Sequence, residues 1–380
     1  MPHSMIDRRQ FLAASSAGLT LSTLRLTSIS TAADVTPKVE DGVAWYNVEQ
    51  WGVEGKGWPE TARYFDRLPA KAEKTVRAAV WGLSRHSAGM LVRFETNSPA
   101  IQVRYTLMSP RLEMSHMPAT GVSGIDLYAR DADGKDRWLS VARPASKDVT
   151  AKLVSDVDAL DNDQPRLFTA YLPLYNGVDS LEIGVNNGTK FQAVAPRKDK
   201  PLVFYGTSIM HGACASRPGM SITGILGRRL DRPTINLGFS GNGKMEIEVG
   251  KLLAELDPSV YVIDCLPNMT GDAVAERTQP LVRQLKAARP KAPILLVEDR
   301  TYTYARFRKS ARERHTASRA ALRQAYEGLT GAGVKGLYYL GGEALLGDDG
   351  EAATDGSHPN DLGMMRYADA YEKSLRGILT

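Results

Sequence analysis

The chain has 380 residues, of which 43% are hydrophobic and 24% are charged, and its formal net charge is +5. This composition excludes a disordered or low-complexity chain, and the length favours two folded domains. So small a positive charge does not indicate a nucleic-acid partner. The most basic stretch, residues 306–323, also contains Glu313 and spreads its charge around a predicted helix, which favours a solvated helix face.

At the N-terminus, Arg8 and Arg9 precede an apolar stretch that ends near Leu24, and small residues follow at positions 30–33. A charged start, an apolar middle and a small-residue end are typical of an export signal, and paired arginines indicate the twin-arginine type. The alternative is an amphipathic N-terminal helix. We predict a signal over residues 1–33 and a periplasmic or extracellular protein. No apolar stretch is long enough to span a bilayer, so we expect no stable membrane insertion after signal removal.

Short strands separated by turn signals characterise the part of the chain between residues 40 and 195. Apolar and polar residues alternate within several of these runs, as they do in half-buried strands. Asp-Gly and Asn-Gly pairs lie between the runs and are typical turn residues. We therefore predict an antiparallel β-sandwich domain over residues 40–195. Its predicted strands are residues 91–96, 101–106, 125–129, 138–142, 167–172 and 181–185.

A Pro- and Lys-containing linker is predicted at residues 195–201, and the pattern changes after it. Short apolar runs now alternate with helical stretches, which predicts an α/β domain with a doubly wound parallel sheet over residues 201–380. In such sheets, functional groups lie beyond the carboxyl ends of the strands. The predicted strands are residues 202–205, 234–237, 260–264, 294–297 and 336–340.

Ser208 directly follows the first predicted parallel strand, in the sequence Gly206-Thr207-Ser208. A glycine at a strand-to-helix turn allows a serine hydroxyl to be exposed at the edge of the sheet. Met210 stands where the G-x-S-x-G elbow of α/β-hydrolases has its second glycine, so the motif is a different one. Taken alone, Ser208 is more simply interpreted as the N-cap of the next helix.

Asp355 and His358 follow the last predicted strand, three residues apart. A carboxylate at this spacing can orient the imidazole, and the imidazole can then take a proton from a serine hydroxyl. The alternative interpretation is a capped turn before the final helix.

Two further motifs follow the second and third predicted parallel strands. Residues 236–243 contain Gly241 in a glycine-rich loop that can present backbone N–H groups to a ligand. The loop lacks the Lys-Ser/Thr ending of a phosphate-binding P-loop, and an ordinary turn is the other alternative. Asn268 can donate its side-chain amide to an oxyanion, or it is simply an asparagine in a turn after proline.

All four motifs lie beyond carboxyl ends of strands in one predicted sheet, and together they resemble the SGNH (GDSL-type) hydrolase family. The resemblance implies a flavodoxin-like parallel sheet and a serine hydrolase with a Ser-His-Asp triad. It also implies an oxyanion hole formed by two backbone N–H groups and one asparagine amide. The matching residues are Ser208, Asp355 and His358 for the triad, and Ser208, Gly241 and Asn268 for the oxyanion hole.

One position departs from the family, because Thr207 stands where an aspartate is usual. We expect the Thr207 hydroxyl to hold the turn by a local hydrogen bond. Residues 124–128 read Gly-Ile-Asp-Leu-Tyr and resemble the G-x-D-L-Y marker of the N-terminal domain in one bacterial branch. With this motif, the resemblance covers nearly all of the chain after the predicted signal.

The resemblance implies ester hydrolysis without a metal or an organic cofactor. An exported chain with a β-sandwich beside the hydrolase domain is similar in plan to carbohydrate esterases, so we expect an acetylated glycan or a small ester as substrate. A lipid substrate remains an alternative, although no strongly apolar lid is evident in the sequence. Acyl transfer to a sugar alcohol is another alternative. The alternative from a different class is a catalytically silent glycan-binding protein.

Several other residues are candidates for the surroundings of the site. His211 lies one helical turn after Ser208 and competes as a base only if it faces the hydroxyl. His86, His116 and Arg217 are candidates for the residue that lines the mouth of the site. A structural role is the alternative for each of them. Residues 298–300, Glu-Asp-Arg, end the fourth parallel strand and are candidates for the border of the pocket.

The three tryptophans and two cysteines each allow two interpretations. Trp45, Trp51 and Trp58 offer stacking faces for sugars, but packing inside the protein is the favoured interpretation. Cys214 and Cys265 lie near motifs of the site and can form a disulfide in an oxidising compartment. We favour two buried thiols.

Overall fold

The computed structural model of the protein describes residues 34–158, 160 and 163–380. The predicted export signal therefore lies outside the described residues. Within them, no helix combines the length and the apolar character needed to cross a membrane.

Two five-stranded antiparallel sheets pack face to face in the first half of the chain. Their strands are β1 (Lys38–Glu40), β2 (Val43–Asn47), β3 (Leu91–Thr96), β4 (Ile101–Leu107), β5 (Asp126–Arg130), β6 (Asp136–Val141), β7 (Asp148–Val154), β8 (Arg166–Tyr171), β9 (Val178–Asn186) and β10 (Phe191–Val194). The strand orders are β1-β2-β9-β4-β7 and β10-β3-β8-β5-β6. Apolar side chains of both inner faces, such as Phe94, Tyr105 and Phe168, form the core of this sandwich.

All six strands predicted in this half are present, each within a few residues of its expected bounds. The sequence did not predict β1, β2, β7 and β10. Three of these, β1, β7 and β10, lie at the edges of their sheets. An edge strand pairs on one side only and faces solvent on the other, so its apolar pattern is weaker. In β7, for example, Asp148, Thr150 and Lys152 are exposed.

A five-stranded parallel sheet with the order β12-β11-β13-β14-β15 forms the centre of the second half. Its strands are β11 (Leu202–Gly206), β12 (Thr234–Gly238), β13 (Val260–Asp264), β14 (Ile294–Val297) and β15 (Leu337–Leu340). This is the flavodoxin-like strand order, so the predicted fold class is confirmed. After β11 the chain adds β12 on one side and then β13 on the other, so the order of the strands reverses at β11. A ligand site is expected at the carboxyl ends of the strands at this point.

Eight α-helices accompany the sheets in the described residues. Two short ones, α1 (Ala78–Ser84) and α2 (Ala119–Val122), belong to the first half. The others are α3 (Ser208–His211), α4 (Ile222–Arg229), α5 (Ile247–Leu253), α6 (Gly271–Ala288), α7 (Lys309–Gly331) and α8 (Asp361–Ile378). Helices α4 and α8 pack on one face of the parallel sheet, and α5, α6 and α7 pack on the other.

The two halves share a hydrophobic core. Trp58, Leu68, Val80 and Trp81, from the first half, are buried against the face of the parallel sheet that α5, α6 and α7 also cover. Burial of one such side chain stabilises a fold by about 1.5–3 kcal/mol, so this contact fixes the halves firmly together. Trp45 and Trp51 are buried as well, which confirms that these tryptophans are packing residues.

The Gly-Ile-Asp-Leu-Tyr motif forms a second contact between the halves. The buried Asp126 carboxylate accepts hydrogen bonds from the Arg217 guanidinium (3.1 Å) and from the Gly219 backbone N–H (2.8 Å). The Tyr128 ring lies against Gly219, where a Cβ atom would overlap it. A Cβ atom at Gly124 would collide with backbone carbonyls, so only glycine fits there. The motif therefore fixes the segment that follows α3. Helix α3 itself contains Ser208.

The predicted linker is anchored to the sandwich. Arg197 forms a salt bridge with the buried Glu54 (2.5 Å) and also donates its backbone N–H to that carboxylate (3.0 Å). Arg93 contacts the same carboxylate at 3.3 Å. Arg197 outweighs the cost of burial and lowers the pKa of Glu54, so the pair stays charged. Residues 195–201 thus join the halves by a fixed path.

Candidate active site

Ser208 lies in a tight turn at the carboxyl end of β11. Thr207 caps helix α3, because its hydroxyl accepts a hydrogen bond from the Ile209 backbone N–H at 3.3 Å. This is the local hydrogen bond expected of Thr207, and it excludes Ser208 as the N-cap. A Cβ atom at Gly243 would overlap the carbonyl of Gly206, so the glycine-rich loop packs directly on this turn. The Ser208 side chain is therefore not needed to cap the helix and can bind another group, although the residue is only 6% exposed.

Asp355, His358 and Ser208 form a continuous line of hydrogen bonds. The Ser208 Oγ atom lies 2.8 Å from His358 Nε2, and His358 Nδ1 lies 2.7 Å from Asp355 Oδ2. The other Asp355 oxygen accepts the backbone N–H groups of Ser357 (3.0 Å) and His358 (2.8 Å). Although partial burial raises the pKa of Asp355, the bonds from His358 outweigh it and lower the pKa to about 2. The carboxylate is therefore ionised at neutral pH and faces a ring nitrogen that must carry a proton.

Two groups of potential donors flank Ser208, because β12 and β13 lie on either side of β11. Gly241 follows β12 with φ +69°, a conformation that glycine adopts without strain. Asn268 follows β13. When its amide is oriented so that donors meet acceptors, its oxygen accepts the backbone N–H groups of Asn242 (3.0 Å) and Gly243 (3.2 Å). The loop thus fixes the amide and leaves the Asn268 NH₂ group to donate on its other side.

Arg300 supports the loop that carries Asp355 and His358. Its Nε atom donates to the Ser357 carbonyl at 3.1 Å, and its Nη2 atom donates to the Ser357 hydroxyl. Asp299 pairs with the remaining Nη1 atom. Residues 298–300 are almost completely buried, and Arg300 lies beneath the histidine loop instead of at the border of the Ser208 site as the sequence suggested. Glu298 points away from this loop and lines a separate cavity beside α7.

A second loop, residues 301–308, covers the same histidine loop from outside. The Thr303 backbone N–H donates to the Gly356 carbonyl at 3.1 Å. The Tyr304 ring occupies the space where a side chain of residue 356 would lie, which requires the glycine with its φ of +81°. Sequence reasoning named Arg300 only as a candidate for the border of the pocket and did not name Tyr304, because both residues are far from His358 along the chain.

Comparison with known proteins identifies the protein family that has this fold and these side chains. Residues 199–376 match the model of the GDSL-like lipase/acylhydrolase family, and residues 43–191 match the model of the GxDLY N-terminus of SGNH hydrolase-type esterases. A protein from Bacteroides ovatus described as a GDSL-like lipase is 32% identical, with a TM-score of 0.84 over 89% of this chain and 98% of its own. The chain belongs to the SGNH hydrolase family. It is therefore an enzyme that hydrolyses esters.

Other solved structures share the fold of this SGNH hydrolase at low identity. A salicylyl-acyltransferase from a tetracycline biosynthetic pathway is 16% identical, with a TM-score of 0.63 over 92% of this chain and 94% of its own. A family two carbohydrate esterase from Clostridium thermocellum, solved with cellohexaose, is 13% identical, with a TM-score of 0.51 over 76% of this chain and 92% of its own. A search of curated proteins finds no match.

His116 of the sandwich half lies beside the hydrogen-bonded line of the hydrolase. Its ring centroid is 5.7 Å from that of His358, so a loop of the first half forms one wall of the site. The other two candidates for the mouth lie elsewhere. Arg217 pairs with Asp126 in the contact between the halves, and His86 lies against His211.

His211 is buried away from the Ser208 hydroxyl. Its ring stacks on Tyr175 at a centroid distance of 4.2 Å, and its Nε2 atom faces Arg67 at 3.3 Å. Burial, together with the Arg67 charge, holds the pKa of His211 well below its ordinary value. A ring whose Nε2 faces Arg67 and whose pKa is lowered in this way is a poor base for Ser208.

Arg67 joins the sandwich half to the turn of the hydrolase that carries Ser208. The side chain is fully buried and donates to the carbonyls of Asn236 (3.1 Å) and Gly238 (2.8 Å) at the end of β12. It also donates to the carbonyls of Leu83 (2.7 Å) and His86 (2.9 Å) in its own half. The strand end before Gly241 is thus held by the sandwich half.

Cys214 and Cys265 are both buried free thiols, as favoured from the sequence. Potential ligand atoms of Cys214, His116 and His358 all lie within 4.8 Å of one another. Two imidazoles and a thiolate are ligands that suit Zn²⁺. Burial raises the pKa of Cys214 to about 12, so the thiol is protonated at neutral pH unless a metal ion displaces the proton. A metal ion there would also withdraw His358 from Ser208.

Proposed function

We propose that this SGNH hydrolase is an exported serine esterase that removes acyl groups, chiefly O-acetyl groups, from carbohydrate. Ser208 is the nucleophile, His358 is the general base and Asp355 orients His358. The observation that carries the proposal is the line of hydrogen bonds from Ser208 through His358 to Asp355, with lengths of 2.8 and 2.7 Å. This is the arrangement that a serine nucleophile requires.

In the first half of the proposed reaction, the Ser208 hydroxyl attacks the ester carbonyl and His358 Nε2 takes its proton. Ionised Asp355 keeps the proton on Nδ1 and stabilises the imidazolium that forms. The carbonyl oxygen becomes an oxyanion and is stabilised by the backbone N–H groups of Ser208 and Gly241 and by the Asn268 amide. His358 then donates its proton to the leaving alcohol, which completes the acyl-enzyme.

Water completes the cycle, since His358 deprotonates it for attack on the acyl-Ser208 ester. The acid leaves and Ser208 recovers its proton from His358. Every proton in this scheme moves between the substrate, water and two side chains, so the mechanism needs neither a metal nor an organic cofactor.

The proposed carbohydrate substrate and the proposed export have separate support. The carbohydrate assignment is supported by the shared architecture of this chain and family two carbohydrate esterases, one of which was solved with cellohexaose. Export is supported by Arg8, Arg9 and the apolar stretch after them. The partners that follow are a small ester or an acetylated glycan, and neither a nucleic acid nor a membrane.

A fluorophosphonate probe tests the nucleophile. The wild type is expected to be labelled, and Ser208→Ala is expected to lose the label. Ser115→Ala is the matched control, because it removes an exposed hydroxyl beside His116 and leaves the triad intact. Absence of label on correctly folded wild type would refute the esterase and favour a silent glycan-binding protein.

The substrate class is tested by acetate release from acetylated oligosaccharides of differing linkage, compared with triglycerides and with p-nitrophenyl acetate. Release from the oligosaccharides with kcat/KM above that for the lipids supports the proposal, and the reverse order contradicts it. Product analysis with an added sugar alcohol separates hydrolysis from acyl transfer. That control matters because a structure of the same fold is a salicylyl-acyltransferase.

A further inference from the structure

A strongly basic surface segment lies next to the proposed site and comprises the end of the loop that covers Gly356 and the first turns of α7. Five cationic side chains fall within nine consecutive residues, and all five are exposed. We call this segment the basic rim. Its cationic residues are Arg306, Arg308, Lys309, Arg312 and Arg314.

Most of the charge of the basic rim is not compensated within the protein. Lys309 pairs with Glu313 at 3.5 Å, and Glu313 is the only acidic residue of the segment. The four arginines make no salt bridge to any carboxylate of residues 34–158, 160 or 163–380. Arg312 and Arg314 use part of their guanidinium groups to bind backbone carbonyls and keep their charge. Neighbouring like charges repel one another, and a bound anion relieves that repulsion.

The basic rim touches both sides of the proposed catalytic machinery. At one end, the Arg308 guanidinium lies 4.8 Å from the ring centroid of Tyr304, which covers Gly356 between Asp355 and His358. At the other end, Arg314 Nη2 donates to the carbonyl of Pro267 at 2.9 Å, directly before Asn268. A chain bound along the rim therefore passes the mouth of the Ser208 site.

An aromatic side chain lies among these charges. Phe307 is 85% exposed and stands between Arg306 and Arg308. An exposed ring gives little to the stability of the fold, but its face is suited to stacking on the apolar face of a sugar ring. Arginine guanidinium groups bind carboxylates through paired hydrogen bonds. An aromatic face flanked by arginines thus matches a sugar that bears a carboxylate.

Resting on the proposed function, we propose that the basic rim binds the carboxylates of an acidic glycan while an acyl ester of that glycan occupies the Ser208 site. The substrate class is then an acylated polysaccharide that contains uronic acid residues. Phe307 stacks on a sugar ring, and Arg306 and Arg308 bind its neighbouring carboxylates. The contribution of the rim is electrostatic and lies in substrate binding, so it appears in KM and weakens with salt.

The experiment compares three substrates: an acetylated uronic-acid oligosaccharide, an acetylated neutral xylo-oligosaccharide and p-nitrophenyl acetate. The test variant is Arg306→Gln/Arg308→Gln. The matched control is Lys291→Gln/Lys335→Gln, which removes two exposed charges before β14 and β15, at the edge of the sheet opposite Ser208. We expect the test variant to raise KM about tenfold for the acidic oligosaccharide only. We expect the control to change no substrate, and high salt to reproduce the effect in the wild type.

The outcomes separate this inference from the proposed function. Failure of the wild type to hydrolyse p-nitrophenyl acetate would refute the esterase itself. Normal hydrolysis of p-nitrophenyl acetate with an unchanged KM for the acidic oligosaccharide in the test variant would overturn the rim proposal alone. The rim proposal would also be overturned if a single-stranded oligonucleotide or anionic vesicles bound through the rim more tightly than the acidic oligosaccharide does. Equal thermal midpoints of all variants establish that folding is not the cause.

Discussion

The two sides of the proposed site are held in different ways. Ser208 lies in a buried turn where backbone packs on backbone, with Gly206 against Gly243 and a capping hydrogen bond from the Ile209 N–H to Thr207. On the opposite side, the Asp355 side chain is 42% exposed and the His358 side chain 25%. These two residues lie in a loop after the edge strand β15, and Arg300 and Tyr304 support it.

The difference shows what fixes the positions of the functional groups on each side of the site. The nucleophile and its oxyanion donors follow three adjacent strands, so the hydrogen bonds of the sheet set their spacing. The base follows an edge strand by a long loop, so individual side chains set its position. Changes on the nucleophile side should therefore lower stability and activity together. Changes on the base side should lower activity and leave stability nearly unchanged.

The largest effect is expected from the triad itself. Ser208→Ala and His358→Ala should each lower kcat by about 10⁴-fold or more, because the triad acts as a unit. The double variant should be no slower than either single one, as measured by steady-state hydrolysis of p-nitrophenyl acetate. Turnover near that of the wild type in His358→Ala would show that another group is the base.

A smaller effect is expected from the oxyanion donors. Asn268→Ala should lower kcat by about 10²- to 10³-fold with little change in KM, because the amide binds charge that exists only in the transition state. Asn187→Ala, in an exposed turn of the sandwich, is the control. A rise in KM at constant kcat would show that Asn268 binds the ground state instead.

Arg67 tests the claim that the nucleophile side couples folding to activity. Arg67→Met keeps much of the volume but leaves several buried carbonyls without their donor, among them those of Asn236 and Gly238. Since each orphaned group costs about 1–3 kcal/mol, partly offset by removal of a buried charge, we expect a loss of about 3 kcal/mol in unfolding free energy. Activity should fall with it. Urea denaturation with an unchanged midpoint would contradict the comparison.

Ser357→Ala tests the opposite claim for the base side. The change removes the hydroxyl that Arg300 binds but keeps the Arg300 bond to the Ser357 carbonyl. We expect kcat to fall about tenfold and the pH profile of kcat/KM to shift. The thermal midpoint should stay close to that of the wild type. Parallel losses of stability and activity would remove the distinction between the two sides.

The smallest effect on activity is expected at Asp264, whose buried carboxylate accepts a hydrogen bond from the Tyr371 hydroxyl at 2.7 Å. Burial raises the pKa of Asp264 to about 7. The unfolded carboxyl group titrates near ~4, so folding stability falls as pH rises from about 4 to about 7. Asp264→Asn should keep the Tyr371 bond and remove this loss. Thermal midpoints of both proteins across that pH range check the expectation, and parallel curves would contradict it.

The parallel-sheet strands and their motifs were predictable because they are local. Buried parallel strands are continuous apolar runs, and Ser208 follows the run of β11 closely, whereas Asp355 and His358 follow β15 after a long loop. The edge strands β1, β7 and β10 were not predicted, because half of their surface is solvated. The supporting roles of Arg300 and Tyr304 were not predicted, because their partners are more than 50 residues away along the chain.

The sequence by itself determined the family and the fold class, and it indicated that four side chains and the backbone of Gly241 lie at one edge of the sheet, because parallel strands have their carboxyl ends together. Only the tertiary structure decided how each side chain is oriented. It buried His211 against Arg67, brought His116 to His358 and placed the basic rim between Gly356 and Asn268. These contacts join residues that are distant along the chain, and packing between the halves creates several of them.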